Sequence, residues 1–153
     1  MRHIVDPRQT ALLDPYEHVF SPVARKSIDQ GWQGVFREVI LELLPVEAVA
    51  VHFHATLGQP TKELYSMAGL VFIMQFNDWT AEKAAEAYML DLGVMYALNL
   101  PPGGQSMCSR TVERYGKLFR EEELGSEVFE RVTTALIEAL GPVSYTHLRA
   151  HET

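Results

Sequence analysis

One cysteine, Cys108, stands among 153 residues, so no internal disulfide is available and the chain suits a reducing cytoplasm. Long apolar runs are missing too. The longest, Met67–Met74, makes about two helical turns, far short of the ~18 residues that span a bilayer. That argues against a membrane partner. The opening MRHIVDPRQT lacks the apolar segment of a secretory leader. Basic charge is scarce: 13 Lys and Arg stand against 20 Asp and Glu, a formal charge of −7. Such acidity weakens long-range attraction to nucleic acid, so any docking face would have to be a local basic stripe. No convincing strand, internal repeat or low-complexity block interrupts the pattern.

What is present is helical periodicity in a chain that is 47% hydrophobic, a fraction that supports a packed globule. Trp32, Val35, Phe36, Val39, Ile40, Leu43 and Leu44 follow i, i+3, i+4, i+7 spacing, opposite Arg37, Glu38 and Glu42. Pro45 stops that helix, and a short turn is expected at Val46–Val51. Pro60 opens a second helix, apolar on every side from Ala68 to Met74 and therefore central, which Asn77-Asp78 breaks. Thr80 caps a helix through Leu90 whose Ala81, Ala84, Ala85 and Tyr88 favour close packing. Pro101-Pro102-Gly103-Gly104 is a loop. Beyond it Ser106 or Ser109 caps a helix to about Glu122, and a last helix from Ser126 carries the stripe Val128, Val132, Ala135, Leu136, Ala139 and Leu140, with Gly141 as its stop. The expectation is an all-α bundle of about six helices.

The helix after the Pro-Gly loop offers the best functional candidate. Arg110, Arg114 and Lys117 share one face at i, i+4 and i+7, Arg120 lies near the helix end, and Val112, Tyr115, Leu118 and Phe119 form the apolar side. Such a helix can meet phosphates or enter a major groove; it can equally be a solvated face whose cations pair with Glu113 and Glu121–Glu123. The Thr80–Leu90 helix and the one from Asp91 to Leu98 could form a helix-turn-helix-like pair, although Lys83 is their one cation and core packing serves the pattern as well. His52 and His54 share a face only in an extended chain, and no Cys or carboxylate cluster follows at ligand spacing, so they should end a turn at the surface. Cys108 is expected half-buried at a helix start, with Arg110 near enough to lower a thiol pKa.

Several segments carry a family resemblance. DPRQTALLDP at Asp6–Pro15, PTKELYSMAGL at Pro60–Leu70, YALNL at Tyr96–Leu100 and SRTVERYGKLFR at Ser109–Arg120 resemble, in order, the N-terminal helical region of bacterial insertion-sequence transposases of the IS1182-like branch of the DDE group. The closing VSYTHLRAHET at Val143–Thr153 does not resemble that family. It looks like one reading frame of a sequencing-library adapter, which sets residues 1–142 apart as the helical domain and 143–153 as a non-native tail.

The resemblance implies a front end that recognises transposon terminal repeats and helps assemble the synaptic complex in DNA transposition. In that family the catalytic carboxylates hold two divalent metals in an RNase H-like domain further along the chain. No catalytic residue, metal ligand or cofactor is therefore carried over to this fragment, which is expected to be inactive alone. The implied DNA-binding residues are Arg110, Arg114, Lys117 and Arg120. The alternative is a helical module for dimerisation or interdomain packing that does not bind DNA. A last helix that packs on an absent domain would leave its apolar stripe exposed and favour self-association.

Overall fold

The computed structural model describes residues 1–9, 12–53 and 62–121, with 130–132, 134, 135 and 138. Oxygen-bearing side chains set where four of the seven described α-helices start. The Ser21 hydroxyl accepts from Ala24 N (3.2 Å) ahead of Pro22, giving α1 (Pro22–Gln30). Gly31 then separates α1 from α2 (Trp32–Val35). After Pro45 comes α3 (Val46–Ala50). The Glu63 carboxylate caps α4 (Leu64–Phe76). Thr80 caps α5 (Ala81–Leu90) by accepting from Lys83 N (3.1 Å), as its sequence context suggests. Asp91 caps α6 (Leu92–Ala97) by accepting from Val94 N (3.1 Å), and α7 spans Ser109–Glu121. Among the described residues there is no strand, only an isolated bridge between His3 and Glu63, so the fold is all-α.

α4 is the axis of the core. Leu64, Met67, Ala68, Leu70, Val71 and Ile73 are buried over most of its circumference, with Tyr65 and Phe72 half-buried on the remaining side. The 3-10 turn Leu41–Leu43, α3, α5 and α7 pack around it. Pro60 itself lies outside the described residues, but Lys62 is not helical and Glu63 is extended, so the helix starts at Leu64 and not at Pro60; its cap is Glu63, accepting from Ser66 N at 2.7 Å and Tyr65 N at 3.2 Å. The same carboxylate accepts from Val5 N (3.2 Å), while His3 O accepts from Leu64 N (2.9 Å), and these bonds tie the N-terminal segment to the start of α4. Burial raises the proton affinity of Glu63 despite those backbone donors.

Two helices stop in the same way. Beyond α4, Asp78 takes φ 54, with Trp79 N bonded to Met74 O (2.9 Å) and Asp78 N to Gln75 O (3.3 Å). Beyond α6, Asn99 takes φ 59, with Leu100 N bonded to Met95 O (3.0 Å) and Asn99 N to Tyr96 O (3.2 Å). Both are Schellman ends, built on Asp and Asn where glycine is commoner.

The stretch expected to be one amphipathic helix to Leu44 departs from that expectation. α2 runs into a π turn, Phe36–Ile40, and then the 3-10 turn. The π turn is closed by Leu41 N–H to Phe36 O. One extra residue per turn rotates the apolar stripe by roughly 100°. Phe36 and Leu41, five apart, both become buried, whereas Trp32 and Val35 are left 50% and 41% exposed.

The helix expected from Ser126 is described in part. Residues 130–132, 134, 135 and 138 are helical; Val132 is buried, and Arg131 donates to Leu43 O (3.1 Å). At Val132 the segment packs into the core of the bundle. Ser126, Val128, Leu136, Ala139, Leu140 and the tail 143–153 lie outside the description.

Candidate nucleic-acid interface

α7 follows the loop 101–108, where Gly103 (φ 76) and Gly104 (φ 73) take left-handed turns closed to most side chains. Lys62 Nζ donates to Ser106 O (2.8 Å) and pins the loop. Neither Ser106 nor Ser109 is the cap. Cys108 holds that position, its carbonyl accepting from Thr111 N (3.1 Å) and Val112 N (3.3 Å), and Ser109 is the first helical residue. Cys108 is exposed, not half-buried. Its thiol lies 3.2 Å from Thr111 Oγ1, and that hydroxyl, then the Thr111 and Arg110 backbone N–H groups, lower its pKa. Sequence reasoning looked for a nearby cation and so passed over the hydroxyl of Thr111, three residues on.

One side of α7 is fully committed to packing. Val112, Tyr115, Gly116 and Phe119 are buried against α4 and α5, and Tyr115 stacks on Phe53 with ring centroids 5.8 Å apart. The Tyr115 hydroxyl is buried without a hydrogen-bond partner, and burial pushes its pKa up. A Cβ on Gly116 would meet Arg120 Nη1 at 3.7 Å and Met74 Cε at 3.9 Å, ordinary contact distances. Gly116→Ala should therefore stabilise the protein by ~0.5–1 kcal/mol, through helix propensity and a less flexible unfolded chain. A urea-denaturation midpoint that falls would contradict this.

The opposite side is exposed and carries Arg110, Arg114, Lys117 and Arg120, with Glu113 and Glu121. Arg110 to Lys117 spans roughly 10 Å of axis at the α-helical rise. Lys117 reaches Glu121 at 3.8 Å, an exposed pair worth little in water. Arg114 lies over the Tyr115 ring, 5.5 Å from its centroid. Among the described residues Arg110 and Arg120 form no ion pair. The fixed geometry is thus an anchored helix with four cations in water, two of them without an ion pair among the described residues. Anchoring removes the freedom of the helix, though not of the side chains, before any ligand arrives.

α5 and α6 do not form a second reading head. One residue, Asp91, separates them, where a helix-turn-helix has a turn of three or four. Val94, Met95, Tyr96 and Ala97 are buried, so α6 offers almost no free face, and Lys83 sits with its Nζ 5.8 Å from the Trp79 ring centroid. His52 lies exposed in the turn after α3; His54 lies outside the described residues. Among the described residues no three His, Cys, Asp or Glu side chains converge as a metal set, and no helix is long and apolar enough to cross a membrane. No family model, curated protein or solved structure matches this chain.

Proposed function

We propose that this helical domain docks on DNA through α7, as the end-recognition and assembly region of a DDE-type transposase. The observation that carries the reading is the division of α7: Val112, Tyr115 and Phe119 locked in the core, and Arg110, Arg114, Lys117 and Arg120 held in solvent on the other side. The transposase assignment rests on the segments that resemble that family, and the docking chemistry on the cations themselves. The reading gives the chain no catalytic residue and no cofactor of its own. Its ligand would be the phosphate backbone of the terminal repeats, since arginines and lysines in one row fix position and register more than sequence.

The test is salt-dependent binding to duplex DNA, read by fluorescence anisotropy. Neutralising about three phosphates predicts that affinity falls roughly fortyfold between about 50 and 200 mM salt. The combined variant Arg110→Glu, Arg114→Glu, Lys117→Glu should abolish binding while leaving the helical circular-dichroism signal intact. Equal binding by variant and parent would remove α7 from the interface.

A second reading, a protein–protein module, is favoured by one observation: Trp32, Phe76 and Leu90 stand 50%, 81% and 73% exposed. Large apolar side chains in water are common singly but also mark partner surfaces. Sedimentation that shows a defined dimer, unchanged by the triple variant and without any DNA binding, would select this reading.

A further inference from the structure

The N-terminal segment, α1, the π turn and the end of α6 meet around a cavity of about 920 Å³. That volume lies within the ~300–1,000 Å³ of small-molecule clefts. Three arginines line it, and two are already neutralised. Arg8 Nε pairs with Glu42 at 2.7 Å. Arg25 pairs with Asp14 at 2.8 Å and Asp29 at 3.2 Å. Arg37 is different: among the described residues it has no carboxylate partner. It donates through Nη1 to Tyr96 O (2.9 Å) and lies over the Tyr96 ring, 4.5 Å from its centroid. Arg25 also lies against that ring, 5.1 Å from its centroid.

The backbone places Arg37 there. It is the second residue of the π turn Phe36–Ile40, and π turns inside helices recur at functional sites. The field of Arg37 is felt across the cavity, where it adds to the bonds that hold Asp14 below its usual pKa. Its remaining N–H donors form the fork that matches a carboxylate or phosphate. The neighbouring Glu38 also lines the cavity, is exposed, and has no ion pair among the described residues, so it opposes an anion without closing the site.

We infer that this cavity binds a small oxyanion, a carboxylate or phosphate group borne on a polar molecule, with Arg37 as its anchor. The site uses none of the α7 cations and stands or falls apart from DNA docking.

The test titrates the whole chain with inorganic phosphate and, separately, malonate at constant ionic strength, following amide chemical shifts. The expected result is saturable binding of at least one probe, with shifts concentrated at Arg37 and Tyr96. Phosphate alone saturating identifies a phosphate ester as the ligand class; malonate alone identifies a carboxylate. Arg37→Gln should weaken binding about tenfold or more. Glu38→Gln changes an exposed side chain, leaves the fold intact and should tighten binding severalfold. Shifts that stay linear for both probes, shifts centred on α7, or affinity unmoved by Glu38→Gln would each overturn the inference.

Discussion

Gly34→Ala should cost about 3 kcal/mol or more of folding free energy, since it has the tightest backbone clash among the described glycines. A Cβ at Gly34 would lie 2.2 Å from Asp29 O, 2.6 Å from Asp29 C and 2.7 Å from Asp29 Cα. All three are backbone atoms, so no rotamer change can make room; α1 and α2 would have to separate. That separation would disturb Asp29, which accepts from Arg25 and from the Tyr96 hydroxyl, and so loosen the contact of α1 with the rest of the molecule. Urea denaturation followed by circular dichroism measures the loss. The paired Gly116→Ala variant is the control: two glycine-to-alanine changes in helices of one protein should move stability in opposite directions. A Gly34→Ala midpoint within error of the parent would show that α1 is not held against α2 as described.

Alkali should unfold this protein cooperatively, starting near pH 10. Tyr16, Tyr88, Tyr96 and Tyr115 are buried, Tyr65 is half-buried, and burial raises each phenol above its ordinary pKa of about 10. A raised pKa means that the folded state holds its proton when the unfolded chain has released it. The associated stability is therefore complete below about pH 10 and is lost as pH rises towards the folded values. Hydrogen bonding adds to the penalty: the Tyr16 hydroxyl donates to Leu100 O and the Tyr96 hydroxyl to the Asp29 carboxylate. Either phenolate would place an anion against an acceptor. Tyrosinate absorbance and helical dichroism, followed together, should change in one step. Smooth titration of all the phenols with the helix signal intact would refute the claim that these rings are closed to solvent.

Much of the architecture could be read from residue pattern because it is set locally. Thr80 announces α5, Asn77-Asp78 announces the stop of α4, and the apolar run at 68–74 announces a helix central to the core, though Phe72 and Met74 are only half-buried. α1 was not legible by periodicity because none of its residues is buried; its only signal is Ser21-Pro22, a cap followed by the residue that tolerates the first turn. The π turn escaped for a different reason. Its sequence fits an ordinary helix, and the insertion becomes favourable only when Phe36 and Leu41 can both reach the core beside Gly69. In the candidate interface, the outward row of cations followed from spacing alone. The Arg37 cavity did not, since its walls come from stretches far apart in the chain and meet only after folding.

Asp91 is shared by two helices at once. Its backbone N–H closes α5 on Ala87 O (3.0 Å), its carboxylate opens α6 at Val94 N, and its carbonyl accepts from Met95 N (3.0 Å). Mechanically this is a joint without slack: α5 cannot turn about its axis without dragging the first turn of α6. Since α5 packs on α7, and α6 packs on α2 and the π turn, a torque applied at one end of the molecule has a short, stiff gear train to the other.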